Sequence, residues 1–405
     1  MKKFRLPFGV QDYLPDECYQ KNRLEQTLSG VFLGAGFSKV ETGALEYYDL
    51  YDGIVASGRI NRMFKLTDSD GSLLVLRPDT TLQISRMAAT KLSGAVQKLY
   101  YIESSYEFLS DGSDSSARTR EFSQAGIEIL GNSGIQGDIE AVLLSIEALR
   151  ASGLQDFLID IGHINFFRGI IEGGGLSGAE LTELERCINL KDALGTEMLL
   201  SNKALPSETR QALKSLNILY GGAEVLDAAE KLVENPLSRS ALAQLRQIVS
   251  ALKTVGYEKY ISIDLGLLKG GYYSGLVIRG ISKGFGVSIL DGGRYDSLGD
   301  AFGKPREAVG FAIGTKRLLG ALEKQGTPEK PPPCDYAYIN LDGFSAAEFE
   351  QIGALRQKGL RVIKLYHADK AALVEFCKKN GVKTVLVFNG KNVEEIEIKD
   401  KTKND

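Results

Sequence analysis

The order of strand-like and helix-like segments constrains the fold of this chain most strongly. Alternating apolar and polar residues predict strands before residue 177 and again after residue 255, whereas residues 177–255 have a helical pattern almost throughout. Pro206 and Pro236 are the breaks between those helices. Strands, then a block of helices, then strands again favour an antiparallel α+β core over repeating βαβ units. We therefore expect an α+β domain with a helical insertion.

The hydrophobic pattern also predicts individual elements around the insertion. A first helix is expected at residues 15–32, because Leu24, Leu28 and Phe32 recur at helical spacing. Strands at residues 98–108 and 123–130 are expected to form a long antiparallel hairpin. Further strands are predicted at residues 38–41, 62–66, 72–76, 261–264, 272–278 and 286–290, and further helices at residues 81–92, 138–152 and 316–322.

A proline-rich stretch predicts a domain boundary. Residues 328–333 contain four prolines, which make a stiff connector. We expect a core at residues 1–325, a linker at residues 326–333 and a small α/β domain at residues 334–405. In the small domain, strands are predicted at residues 336–340, 361–365 and 384–388, and helices at residues 346–358 and 370–380.

Composition indicates an ordinary globular protein. With 43% hydrophobic and 25% charged residues, a chain of 405 residues can bury a sizeable core. The four cysteines are widely spaced, and neither a signal-peptide pattern nor a membrane-length apolar run is present, which favours a cytoplasmic protein. His163 and His367 are the only two histidines, so we expect no metal and no cofactor. The net charge of −3 gives no general basic footprint for nucleic acid.

Two polar residues on one predicted strand indicate a small-ligand site. Residues four apart share a strand face, so Gln124 and Glu128 are expected to project together, with open space over Gly126 between them. An unpaired buried carboxylate is strongly unfavourable, and a small polar ligand would provide its partner. The alternative to a ligand as the partner of Glu128 is an internal ion pair with Arg120.

Several segments resemble the signature motifs of class II aminoacyl-tRNA synthetases of the histidyl type. The resemblance extends over residues 8–322 and implies the class II fold, with a dimer interface built by motif 1. Gly43 departs from the motif 1 proline, and Arg317 matches the γ-phosphate arginine of motif 3. The similar segments are residues 36–46 for motif 1, 98–131 for motif 2, and 292–298 with 309–318 for motif 3.

The resemblance also indicates that the activation chemistry of the synthetases is impaired. In that family an arginine after the motif 2 aromatic grips the α-phosphate of ATP, but here Glu107 follows Tyr106. Two unit charges roughly 4 Å apart interact by about 4 kcal/mol at an effective dielectric near ~20, so a carboxylate there disfavours a triphosphate. A second activation arginine is replaced by Lys269, or by Leu268 if no gap is allowed, and neither matches its bidentate fork. Whether Glu107 binds a cation or is a solvated strand residue is left open.

A histidine pocket is implied by the same resemblance. An ammonium group suits Asp79, Thr81 and Gln124, and an imidazole N–H suits Glu128 with a tyrosine hydroxyl. Adjacent tyrosines on a strand face opposite sides, so at most one of the pair at residues 272–273 is expected to enter the pocket directly. The implied histidine-binding residues are Asp79, Thr81, Gln124, Glu128, Tyr272 and Tyr273, and the candidates for anion binding or inherited structure are Arg118, Arg120 and Arg317.

A synthetase-like core with altered activation residues resembles the family of regulatory subunits of ATP phosphoribosyltransferase, paralogues of histidyl-tRNA synthetase. The resemblance implies a non-catalytic chain that the short catalytic subunit requires and that senses histidine for feedback inhibition in the first step of histidine biosynthesis. It implies a homodimer within a larger hetero-oligomer. The composition makes neither a membrane nor a nucleic acid an expected partner, while the domain after residue 333 leaves residual RNA binding open. The domain at residues 334–405 resembles a shortened anticodon-binding domain, which many members lack. An active histidyl-tRNA synthetase and a stand-alone amino-acid-binding or RNA-binding module are the alternatives.

Overall fold

The computed structural model describes residues 4–54, 60–108, 119–131, 134–172, 174–269, 271, 273–326, 330–366, 370–390 and 392–398. The chain divides into two units, Met1–Glu329 and Lys330–Asp405. No helix within the described residues is long and apolar enough to cross a membrane.

The first unit combines helices and strands. Its helices are α1 (Pro15–Gly34), α2 (Thr81–Lys91), α3 (Gly134–Ala151), α4 (Ile164–Ile171), α5 (Gly178–Asn189), α6 (Ala193–Ser201), α7 (Ser207–Ser215), α8 (Glu224–Glu230), α9 (Pro236–Thr254) and α10 (Thr315–Lys324). Its strands are β1 (Ser38–Lys39), β2 (Leu45–Tyr47), β3 (Lys65–Thr67), β4 (Leu73–Leu76), β5 (Gln97–Tyr106), β6 (Glu121–Leu130), β7 (Phe157–His163), β8 (Tyr220–Gly221), β9 (Ile261–Asp264), β10 (Leu276–Ser282), β11 (Phe285–Arg294) and β12 (Ala308–Gly314).

Nine of these strands form one sheet in the described part of the unit, in the order β1-β5-β6-β12-β11-β10-β7-β9-β8. Most neighbouring strands are antiparallel, as expected. The exceptions are two parallel pairs, β1 with β5 and β7 with β9. The predicted β5–β6 hairpin is confirmed, with Leu99 opposite Glu128 and Tyr101 opposite Gly126. Strands β2, β4 and β3 form a smaller antiparallel sheet.

Apolar side chains pack on both faces of the large sheet. One core cluster joins the sheet to α1, α3 and the insertion helices, and it includes Leu28 and Phe32 of the predicted first helix. A second cluster lies between α2 and the sheet and includes the buried rings of Tyr101 and Tyr295. This second cluster holds both aromatic rings in place beside the polar residues described below.

The insertion is mainly helical, as expected, with α5 to α9 between residues 178 and 254. Ser177 and Glu180 form a capping box at the start of α5, and Asn235 caps α9 ahead of Pro236. One difference is β8, which pairs with β9 at the edge of the sheet. A strand of two residues is too short to show an alternating pattern, so the sequence could not predict it.

The strand predicted at residues 272–278 lies four residues further along the chain in the structure, at Leu276–Ser282. Strand β10 begins only at Leu276, so Tyr273 lies in the connection before it rather than on a strand. The argument that adjacent tyrosines face opposite sides of a strand therefore does not apply here. His163 ends β7, where its ring accepts a hydrogen bond from the Asn165 backbone N–H, and burial lowers its pKa to about 4. His367 lies outside the described residues.

The second unit has its own sheet and helices. The helices and strands are α11 (Ala346–Gln357), α12 (Lys370–Asn380), β13 (Tyr336–Asn340), β14 (Val362–Lys364), β15 (Thr384–Asn389) and β16 (Asn392–Glu397). The sheet order is β14-β13-β15-β16, with β13 parallel to both neighbours and β16 antiparallel to β15. Strand β16 was not predicted, because its glutamate-rich sequence has few of the residues that favour strands.

Candidate functional site

A cavity of about 510 Å³ lies over β6, β11 and β12 of the large sheet. Its volume is within the range of roughly 300–1,000 Å³ that is usual for small-molecule sites. The start of α2 borders it, and Thr182 and Glu185 of insertion helix α5 also line it. Sheet, helix and insertion therefore meet at one pocket.

Most of the residues predicted for ligand binding lie together around this cavity. Tyr272 and Arg118 are outside the described residues. Arg120 is not part of the described lining. Its guanidinium carbon lies 4.8 Å from the ring centroid of Phe108 and 5.8 Å from that of Phe8. The predicted residues that line the cavity are Asp79, Thr81, Gln124, Glu128, Tyr273 and Arg317.

Glu128 is the most deeply buried acid of the site, with 2% of its surface exposed. Its carboxylate accepts hydrogen bonds from the hydroxyls of Thr81, at 2.7 Å, and of Tyr295. Burial raises its pKa to about 8, although the two hydroxyls oppose this shift. The alternative ion pair with Arg120 is not the arrangement found, because the Thr81 and Tyr295 hydroxyls are the partners of this carboxylate.

Two glycines shape the floor of the cavity. A Cβ atom at position 310 would lie 1.9 Å from Oε2 of Glu128, so Gly310 makes room for the carboxylate. A Cβ atom at position 126 would lie 2.5 Å from the Tyr101 hydroxyl oxygen. The expectation of open space over Gly126 is therefore wrong: the Tyr101 ring occupies it, and that ring lines the cavity.

Arg77 holds the segment that carries Asp79 and Thr81. Its guanidinium donates to the backbone oxygens of Thr42 and Ser104, at 2.7 and 2.6 Å. It also forms an ion pair of 2.9 Å with Glu103, and both side chains are almost fully buried. These contacts fix the chain just before α2, which places Asp79 and Thr81 at the cavity.

Glu107 is not among the described residues that line the cavity. Its carboxylate forms an ion pair with Arg62, with 3.1 Å between Nε and Oε1, and a quarter of its side chain is exposed. Its backbone N–H donates to the carbonyl of Arg120. The residue is thus neither inside the pocket nor an isolated solvated charge, because a neighbouring arginine pairs with it.

The acid Asp291, which also lines the cavity, compensates two cations. The Lys269 ammonium forms an ion pair with Asp291, and the Arg317 guanidinium lies 4.0 Å from the same carboxylate. Arg317 also donates to the backbone oxygen of Ser288 at 3.1 Å. With Asp291 compensated and the pKa of Glu128 raised to about 8, Asp79 and Glu185 are the other acids of the described lining. Such a lining favours a ligand with a positive charge.

Sequence reasoning did not select several residues of the site. Tyr295 follows directly after β11 in the motif 3 segment, and only its contact with Glu128 across the fold identifies it. Thr182 and Glu185 are polar residues of an insertion helix, a pattern that ordinarily indicates a solvated face. No local signal distinguishes these two from their neighbours.

Comparisons with known proteins agree with this architecture. The family model for histidyl-tRNA synthetase matches residues 9–318. The chain is 22% identical to the solved histidyl-tRNA synthetase from Nostoc sp. PCC 7120, with a TM-score of 0.78 over 98% of this chain and 97% of that one. The fold and site therefore define a protein with a histidyl-tRNA synthetase-like class II fold.

Named relatives narrow the assignment. The ATP phosphoribosyltransferase regulatory subunit of Acetivibrio thermocellus is 35% identical over 97% of this chain and 94% of its own length. That of Thermoanaerobacter sp. X514 is 33% identical over 91% of this chain and 96% of its own. This chain belongs to the family of ATP phosphoribosyltransferase regulatory subunits. A solved regulatory subunit/histidyl-tRNA synthetase from Bacillus halodurans is 26% identical, with a TM-score of 0.81 over 96% of this chain and 99% of that one.

Proposed function

We propose that this chain senses histidine in the cavity and, without synthetase activity of its own, supports and feedback-inhibits a short catalytic ATP phosphoribosyltransferase subunit. The observation that carries the proposal is the buried Glu128, clasped by two hydroxyls inside an acidic pocket. An imidazole N–H fits Glu128 and Tyr295, and an ammonium group fits Asp79, Thr81 and Gln124.

The arrangement of charges supports a role without ATP activation. Glu107 pairs with Arg62 where synthetases place a phosphate-gripping arginine. Lys269, which stands in for a second arginine, is engaged by Asp291. A polyphosphate would meet a carboxylate at one position and a compensated cation at the other, and both disfavour its binding.

The assembly we propose is a homodimer within a hetero-oligomer. Motif 1 covers β1, an edge strand of the large sheet, and the end of α1 lies close by in sequence. Leu33 of α1, with Leu45 and Tyr47 of β2, exposes about half of each side chain. Burying this apolar surface against a second copy is favourable, and a twofold interface would pair the same elements of both chains.

The second unit is proposed to be a shortened relative of an anticodon-binding domain that does not bind RNA. Its edge strand β16 carries Glu394, Glu395 and Glu397. A row of carboxylates repels a phosphate backbone, which supports the expectation that nucleic acid is not a partner.

The test mixes the full chain with the short catalytic subunit and measures phosphoribosyl-ATP formation with and without histidine. We expect activity only with both chains, and inhibition by histidine that is weaker in the Glu128→Gln variant. ATP–pyrophosphate exchange by this chain alone at enzyme-like rates would instead identify an active synthetase. Histidine binding without any effect on the catalytic subunit would identify a stand-alone amino-acid-binding module.

A further inference from the structure

Helix α5 of the insertion presents three different faces. Leu184, Cys187 and Ile188 pack into the main core. Glu183 and Arg186 form an ion pair of 2.7 Å on an exposed face. Thr182 and Glu185, three residues apart and therefore neighbours on the helix surface, line the cavity. Glu185 thus places a carboxylate from the insertion opposite the acids of the sheet and α2.

The end of α5 is bound to the loop that borders the cavity. Asn189 exchanges two hydrogen bonds with the backbone of Leu268: its side-chain oxygen accepts from the Leu268 N–H at 2.9 Å, and its amide nitrogen donates to the Leu268 carbonyl. Leu268 directly precedes Lys269, the partner of Asp291 in the lining. A displacement of α5 therefore displaces one end of this loop as well.

The other end of the same loop is held by Arg168 of α4. Its guanidinium donates to the carbonyl of Tyr273 at 2.9 Å, and Tyr273 lines the cavity. The positive charge of Arg168 also acts on Glu185, where it opposes the rise in pKa that burial causes. Glu185 therefore lines the space that a ligand would fill and also interacts electrostatically with Arg168.

We propose that Glu185 contacts the positively charged amino group of the bound amino acid, so that the helical insertion senses occupancy of the cavity directly. The inference rests on the proposed function, because it takes histidine as the ligand. Asp79, which precedes α2, and Glu185 of α5 then both face the amino group, and binding holds α5 against the sheet.

Titration calorimetry of the full chain with histidine tests the contact, using the wild type, Glu185→Gln and Glu183→Gln. Glutamine keeps the shape of the side chain, and Glu183 is the matched control because it lies on the same helix but outside the cavity. We expect E185Q to weaken histidine binding about fivefold or more, the lower end of usual couplings between sites, and E183Q to change it less than about twofold. Amide hydrogen exchange of Gly178–Asn189 should slow with histidine in the wild type and E183Q, and much less in E185Q.

Each other outcome has a distinct meaning. A wild type that gives no binding heat with histidine would overturn both the proposed function and this inference. Equal affinities of the wild type and E185Q would overturn the inference alone. Faster exchange throughout the insertion of ligand-free E185Q would also overturn it, because Glu185 would then act in folding rather than in ligand contact.

Discussion

Replacing Glu128 by glutamine changes the pH dependence of stability in a calculable direction. Burial raises the pKa of Glu128 to about 8, from the ordinary glutamate value of 4.5. Between these two values the folded state holds a proton that the unfolded state has lost, so wild-type stability falls as the pH rises through this window. Glutamine carries no titratable proton and removes that slope.

The size of the effect follows from the same shift. Each unit of pKa difference corresponds to about 1.4 kcal/mol, so at pH 7 the buried carboxyl costs the folded state about 3 kcal/mol relative to an unperturbed glutamate. At pH 5 most of this cost is absent, because the group is largely protonated in the folded state and partly so in the unfolded state. The free energy of unfolding of Glu128→Gln, relative to wild type, should therefore increase by about 2 kcal/mol between pH 5 and pH 7.

Urea unfolding of both proteins at several pH values measures this difference. Glu121→Gln is a suitable control, because Glu121 is an exposed residue at the other end of the same strand, β6. Histidine binding should be weaker in Glu128→Gln, since an amide oxygen accepts hydrogen bonds but cannot take the negative charge that strengthens the bond from an imidazole N–H. Parallel stability curves for the wild type and Glu128→Gln would refute the reasoning, because Glu128 would then titrate like an exposed glutamate.

Three further changes probe the surroundings of this carboxylate. Tyr295→Phe removes a hydroxyl that donates to Glu128. Histidine binding measured by calorimetry should weaken about tenfold, which is roughly the contribution of one hydrogen bond to a carboxyl group. Unchanged affinity would show that the Tyr295 hydroxyl does not contribute to histidine binding. Gly310→Ala places a methyl group 1.9 Å from the Glu128 carboxylate. It should lower the free energy of unfolding, measured with urea, by about 1–3 kcal/mol. An unchanged unfolding midpoint would argue against close contact between Gly310 and Glu128. Arg62→Ala breaks a half-exposed ion pair with Glu107 and should cost less than about 1 kcal/mol of stability. It should produce no ATP–pyrophosphate exchange, because the Glu107 carboxylate remains, and appearance of exchange would show that this carboxylate does not exclude ATP.

Local patterns were sufficient to predict the elements that build the sheet side of the site. The β5–β6 hairpin follows from two long apolar-rich strands, and strand periodicity alone places Gln124 and Glu128 on one face. The helical insertion follows in the same way from its uninterrupted helical pattern and from Pro206 and Pro236. These features depend on residues that are close together in the sequence, and hydrophobic periodicity is a signal of such local structure.

Contacts between distant segments account for what the sequence did not predict. Tyr101 fills the space over Gly126 because the two residues are opposite each other across the hairpin, and the size of a ring cannot be inferred from the glycine alone. Tyr295 meets Glu128 across a separation of 167 residues. The start of β10 was misplaced because Tyr273 is of a residue type that favours strands, yet residues 273–275 lie outside the sheet. In each case tertiary packing, rather than local propensity, decided the outcome.

Pairing of charges explains how one frame can accept an amino acid and still disfavour a triphosphate. A cation binds phosphate best when no carboxylate already compensates its charge. Here Lys269 is paired with Asp291. The position of the synthetase arginine holds Glu107, which is paired with Arg62. The described lining also carries the acids Asp79 and Glu185. If histidine fills the cavity as proposed, its amino group is attracted by these two acids. The same electrostatic balance that attracts the effector therefore also repels the nucleotide.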